Sequence, residues 1–170
     1  GKIISPGFID MHSHSDLSLL TDPMHEPKIR QGVTTEAIGM DGLSYAPCSE
    51  SNRKDLIKFL KAINGDVPDN IGWSTVKEFL ALFDNQSSCN VAYFVPQISV
   101  RVEDKGWDAR LPTKAELKKM TRLVTQGMQD GAFGVSTGLT YAPGAYSDTE
   151  ELIALATASA EAGGIYVTHS

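Results

Sequence analysis

Short apolar runs that favour β-strands alternate with helical stretches along the whole chain, and this alternation constrains the fold more than any other feature. Run 91–96 is almost continuously apolar, which is typical of a strand covered on both faces. Alternation of this kind indicates right-handed βαβ units and a parallel sheet. The sequence therefore predicts an α/β fold with either a doubly wound sheet or part of an eight-stranded barrel. Five strands are predicted, at residues 7–12, 33–39, 91–96, 132–138 and 165–168.

Helix-start signals lie between these runs. Thr75 and Thr113 each precede a glutamate by three residues, which is the pattern of a capping box. Helices are predicted over residues 55–63, from 75 through 83, from 113 to 131 and from 147 to about 162. Residues 101–110 are predicted to form a charged loop.

Composition narrows the possible partners. The 170 residues carry a net charge of −6 without a basic cluster, which argues against nucleic acid and against an anionic membrane surface. No apolar run approaches the roughly 18 residues of a membrane span. Two cysteines, Cys48 and Cys89, do not make a disulfide framework, and free thiols indicate a reducing, cytoplasmic location. We expect a small-molecule partner. The sequence carries no signal for a particular oligomeric state.

The two termini suggest a piece of a longer protein. The first residue is Gly1 rather than methionine, and Ser170 comes directly after a strand-like run. Natural domains usually end in polar, frayed segments.

Three of the four histidines stand where predicted strands end. His12 and His14 are two residues apart, so strand alternation places them on one face, where two imidazoles suit one metal ion. His169 ends the fifth strand, and catalytic residues of parallel barrels lie at such ends. The alternative for each is a solvated polar side chain. His25, in a loop beside prolines, is predicted at the surface.

Asp41 follows the second strand within the sequence Gly-Met-Asp-Gly. The flanking glycines would let the backbone turn, so that the carboxylate reaches the end of the sheet. An ionised carboxylate is a good metal ligand and can bridge two ions. The alternative is an ordinary Asp-Gly turn.

Longer segments of the chain resemble a known family. Residues 6–16 (PGFIDMHSHSD) match the opening-strand signature P-G-[FL]-I-D-x-H-x-H of the amidohydrolase superfamily. Residues 31–39, 42–47, 131–152 and 164–169 resemble the D-aminoacylases, also called N-acyl-D-amino-acid deacylases. The similarity spans the whole chain in order, and segment 131–152 is its most specific part.

This resemblance implies a metal-dependent (β/α)8 TIM-type barrel. Residues 1–170 would be its N-terminal part, about five parallel strands with intervening helices, without the rest of the barrel or a flanking β-domain. His12 and His14 would be first-strand metal ligands and His169 the fifth-strand ligand. Tyr141 would line the substrate pocket and help to hold the substrate carboxylate, unless it only packs on its turn. The cofactor would be a divalent metal, one or two ions, most commonly zinc.

Two departures from the family pattern concern this site. The family has Gly-Asn-Cys-Gly after the second strand, so Asp41 stands where a cysteine ligand is expected. Because a hard carboxylate replaces a soft thiolate, the identity and the number of the metal ions are open. Cys48, seven residues away, is not assumed to substitute. Residues 95–101 (VPQISVR) stand where Val-Gly-His-Gly-x-x-Arg is expected, so a pocket histidine is absent and the substrate range is open.

The implied reaction is hydrolysis of the amide bond of an N-acyl-D-amino acid. The family's general base, an aspartate after the eighth strand, and a further metal histidine on the sixth would lie beyond residue 170. The isolated chain is therefore predicted to be inactive, and an unpaired strand edge predicts that it folds poorly alone.

Three other functions remain open. A dihydroorotase-like or hydantoinase-like enzyme would be supported by a carbamylated lysine on the fourth strand, but residues 133–139 contain no lysine. The others are a non-catalytic metal-binding domain and a doubly wound binding module.

Overall fold

The computed structural model describes residues 1–68 and 71–169. Five strands form one sheet in the order in which they occur along the chain, and every neighbouring pair is parallel. A doubly wound sheet would reverse this order partway, so the predicted partial (β/α)8 TIM-type barrel is confirmed. The strands are β1 (Phe8–Asp10), β2 (Val33–Ile38), β3 (Asn90–Pro96), β4 (Gly134–Thr137) and β5 (Ile165–Thr168).

Helices connect successive strands. Both predicted capping boxes are confirmed: the Thr75 and Thr113 side chains accept hydrogen bonds from the backbone N–H of Glu78 and Glu116. Among the described residues, no helix is both long and apolar enough to cross a membrane. The helices are α1 (Ser18–Thr21), α2 (Glu26–Ile29), α3 (Glu50–Asn64), α4 (Val76–Ala81), α5 (Gln97–Lys105), α6 (Lys114–Gln129) and α7 (Thr149–Glu161).

The predicted loop over residues 101–110 is wrong in its first half, because α5 extends to Lys105. Arg101 is fully buried and forms an ion pair with the equally buried Glu151 of α7. The sequence shows a run of charges there, whereas the partner that allows one of them to enter the core lies 50 residues away.

One face of the sheet packs against the helices and carries the main core. Ile38, Tyr93 and Val135 project from β2, β3 and β4 into this layer and are fully buried. The opposite face carries a small second cluster of buried residues, Ala37, Met40 and Phe94, whereas Ile9 and Phe133 on the same face are each 59% exposed. In a closed eight-stranded barrel, this second face would line the packed interior.

Candidate metal centre at the strand ends

Four predicted site residues meet where β1, β2 and β5 end. The Oδ2 atom of Asp41 lies 3.2 Å from Nε2 of His12, 3.2 Å from Nε2 of His14 and 3.3 Å from Nδ1 of His169. The nearest nitrogen or oxygen atoms of His12, His14 and Asp41 all lie within 4.8 Å of one another, and His169 joins them through Asp41. The structure therefore brings together residues that are far apart in the chain. Asp41 is 29 positions and His169 is 157 positions after His12.

The backbone conformation of the Asp41 turn places its carboxylate at the centre of this cluster. Asp41 is buried and has a left-handed conformation with φ = 57°, and its flanking glycines, Gly39 and Gly42, have φ of 77° and 69°. Aspartate is among the few residues with a side chain that adopt this region. The sequence prediction that the glycines allow a turn towards the strand ends is confirmed.

The donor set fits a divalent cation. Imidazole nitrogens and carboxylate oxygens are ligands of Zn²⁺ and of related metals. One carboxylate oxygen offers about two lone pairs, so it cannot accept well-formed hydrogen bonds from three imidazoles at once. The three imidazole nitrogens around Asp41 Oδ2 thus form a donor set of the kind that binds a divalent cation.

Tyr141 lies next to this cluster. It is half-buried in the turn after β4, and its ring centroid is 6.1 Å from that of His169. The Tyr141 ring thus lies beside His169, and it also contacts the main core.

Two residues near the departures from the family pattern, Cys48 and Gln97, do not belong to the cluster. Cys48 is buried just before α3, where its thiol donates to the Tyr45 carbonyl and where burial raises its pKa to about 12. The fully buried Gln97 amide donates to Ser147 and to Glu151 of α7. Cys48 therefore does not replace the missing cysteine ligand.

A buried polar network, which the sequence does not predict, holds the segment after β1. Ser13 and Ser15 alternate with the two histidines, and both hydroxyls donate to Oε2 of fully buried Glu36, at 2.6 Å and 2.7 Å. This contact fixes the segment that carries His12 and His14. Alternating serines were the only available signal, because nothing local identifies Glu36 of β2 as their acceptor.

The prediction that His25 lies at the surface is wrong. Its side chain is 12% exposed, and its Nε2 lies 2.9 Å from Oε1 of Glu36. The imidazole turns inward to contact this buried carboxylate, and its proline-flanked loop does not indicate such a contact.

Asp16 supports the turn that carries Asp41. It is fully buried, and its Oδ1 accepts hydrogen bonds from the Gly39 N–H and the Ser44 hydroxyl. Burial raises the pKa of Asp16 to about 7, against the opposing effect of these hydrogen bonds. Nothing in the local sequence around Asp16 indicates this contact, because Gly39 and Ser44 lie 23 and 28 residues away.

Comparisons with known proteins agree with this geometry. No protein-family model matches the chain. The chain is 36% identical over 171 residues to an N-acyl-D-aspartate deacylase of Alcaligenes xylosoxydans xylosoxydans, covering 99% of this chain and 33% of that protein. A crystal structure of D-aminoacylase, described as defining a novel subset of amidohydrolases, matches with a TM-score of 0.79 and 31% identity, covering 96% of this chain and 34% of that one.

A second solved structure is that of the N-acyl-D-glutamate deacylase from Bordetella bronchiseptica, in complex with zinc and a phosphonate that mimics the tetrahedral intermediate. It matches with a TM-score of 0.79 and 32% identity over 96% of this chain and 34% of that chain. The chain thus spans about a third of the length of the relatives it matches. In sequence and in fold, it is an amidohydrolase-superfamily chain, homologous to the D-aminoacylases and N-acyl-D-amino-acid deacylases over about a third of their length.

Proposed function

We propose that this chain is the metal-binding N-terminal part, residues 1–170, of an enzyme that hydrolyses the amide bond of N-acyl-D-amino acids. The observation that carries the proposal is the convergence of His12, His14 and His169 on the carboxylate of Asp41. Homology to deacylases over the whole chain supports the reaction class.

In this proposal the three histidines and Asp41 hold a divalent ion, with zinc as the first candidate. When bound, such an ion polarises a carbonyl oxygen and lowers the pKa of a coordinated water. Zinc is supported by the donor set and by the zinc complex of the Bordetella enzyme. Asp41 favours harder metals more than a cysteine would, so manganese and iron are the competing ions, at one or two per chain.

Tyr141 contributes to substrate binding in this proposal. Its place beside His169 borders the reacting centre, where its hydroxyl would donate to the carboxylate of the substrate. The general base and one more metal histidine are expected from segments of a longer polypeptide, so the isolated chain should not turn over.

The proposal places the enzyme in a reducing compartment such as the cytoplasm, with a small molecule as its partner. Cys48 and Cys89 are free and buried, which is compatible with that location. The net charge of −6 supports the absence of nucleic-acid and anionic-membrane partners.

The first experiment measures metal content by plasma mass spectrometry on the full-length protein that contains this chain. Wild type is compared with Asp41→Ala and with Asp22→Ala, a matched control at an exposed aspartate. Turnover of N-acetyl-D-amino acids and of their L-enantiomers is assayed on the same samples. We expect bound metal and D-specific turnover in wild type and in the control, and loss of both in Asp41→Ala.

Other outcomes would change the conclusion in different ways. Metal without D-specific turnover would favour a cyclic-amide substrate or a non-catalytic metal domain. Wild-type metal content in Asp41→Ala would remove Asp41 from the ligand set. Absence of metal from all samples would overturn the mechanism.

A further inference from the structure

The turn that carries Asp41 rests on β4 through one buried hydroxyl. Ser136 of β4 is fully buried. Its Oγ accepts a 3.0 Å hydrogen bond from the Gly42 N–H and donates to the Gly39 carbonyl oxygen. A single side chain from 94 to 97 residues away therefore bridges both ends of the three-residue turn around Asp41.

The same turn packs closely against β3 and β4, with no room for an added side-chain atom at two glycines. A Cβ at Gly39 would collide with the Phe94 carbonyl, and a Cβ at Gly138 would collide with the backbone oxygen of Asp41. These glycines allow the turn to approach β3 and β4, but they provide no directional contact. The Ser136 hydroxyl is the polar group of β4 that sets the orientation of the turn.

The backbone of Asp41 needs such support. Its left-handed conformation is sparsely populated by residues other than glycine and persists only where the surroundings impose it. Its carboxylate must also stay within 3.3 Å of imidazole nitrogens from the segments that follow β1 and β5. A small rotation of the turn would move Oδ2 away from all three.

We propose that Ser136 is a positioning residue for the metal centre, which acts by holding Asp41 in its left-handed conformation. It does not touch the metal or the substrate; it orients the backbone from which the carboxylate projects. This inference depends on the proposed function only for the identity of Asp41 as a ligand. Second-layer hydrogen bonds that orient metal ligands typically change metal affinity by about 10–100-fold.

The test is a zinc titration of the metal-free full-length protein, by competition with a chromophoric chelator. The variants are Ser136→Ala, Asp41→Ala and the double variant. Ser159→Ala is the matched control. Ser159 of α7 is equally buried, and its hydroxyl also donates to a backbone carbonyl, that of Ile165 in β5. Urea unfolding of each metal-free variant is followed in parallel.

We expect Ser136→Ala to weaken zinc binding by about 10–100-fold and Ser159→Ala to leave it unchanged. In the Asp41→Ala background, the Ser136 substitution should have almost no further effect on the zinc Kd, because the ligand through which it acts is gone. A general loss of structure would not produce that dependence on Asp41.

Wild-type zinc affinity in Ser136→Ala would overturn the inference, as would the same loss of affinity with and without Asp41. If Ser136→Ala does not fold, Ser136→Thr and Ser136→Val replace it, since they share a shape and differ by the hydroxyl. Equal zinc affinities in that pair would also overturn the inference. Failure of wild type to bind zinc, or tight binding by Asp41→Ala, would instead refute the proposed metal site.

Discussion

At the scale of single residues, charged side chains enter this fold where a distant partner meets them. Glu36 is fully buried because Ser13, Ser15 and His25 surround its carboxylate. Arg101 and Glu151 are both fully buried and form an ion pair. An isolated buried charge is costly, so each of these groups depends on its partner for its place in the core.

Replacing Arg101 by methionine alone should lower the free energy of unfolding by about 3–5 kcal/mol, because Glu151 is left as an unpaired buried charge. The double variant Arg101→Met with Glu151→Leu should recover most of this loss, since an apolar pair of similar volume leaves no such charge. Urea unfolding of the full-length protein, monitored by circular dichroism, measures both. If the double variant lost at least as much stability as the single one, burial of an unpaired charge would not be the cause.

At the scale of elements, helix starts are encoded within four residues. Thr113 precedes α6, its hydroxyl accepts from the Glu116 N–H, and the Glu116 carboxylate accepts from the Thr113 N–H. Arg110 also bonds to this carboxylate, and it holds the pKa of Glu116 well below its usual range. Such contacts are local, which is why both capping boxes were predictable.

Thr113→Ala should destabilise the full-length protein by about 1 kcal/mol, because the Glu116 N–H at the start of α6 loses the hydroxyl that accepts its hydrogen bond. Thr121→Ala, the same change inside α6, is the control and should be neutral or slightly stabilising because alanine has the higher helix propensity. Thermal unfolding compares the two variants. A larger loss at Thr121 than at Thr113 would show that the capping box does not contribute as inferred.

At the scale of the whole molecule, the sheet has one unsatisfied face and two free edges. Within the described residues, β1 pairs only with β2 and β5 only with β4. Apolar side chains on the open face include Ile9, Phe133 and Ile165, all more than half exposed. Exposed apolar surface and unpaired strand edges both favour association over an isolated folded monomer.

The isolated 170-residue chain should therefore associate or unfold without a cooperative transition, and it should not hydrolyse N-acyl-D-amino acids. Size-exclusion chromatography and differential scanning calorimetry of the purified chain test the first expectation. The full-length protein, run beside it, is the control. A sharp calorimetric transition from a monodisperse monomer of the isolated chain would contradict it.

Local sequence determined most of the elements of this protein. Hydrophobic periodicity and capping boxes predicted five strands and four of the helices, and the spacing of His12 and His14 predicted a shared metal-facing side. The motif around Asp41 predicted a turn towards the strand ends, because its glycines tolerate positive φ. These features depend on interactions within a few residues, so they can be predicted without knowledge of the tertiary structure.

Only the tertiary structure decided which side chains support the site. Ser136, Glu36 and Asp16 hold the turn of Asp41 and the histidine segment through contacts across 21 to 97 residues. Arg101 is buried, and His25 is largely buried, for the same reason. Hydrogen bonds and ion pairs between distant segments form when the sheet brings strand ends together, and no local pattern reports which polar groups will meet there.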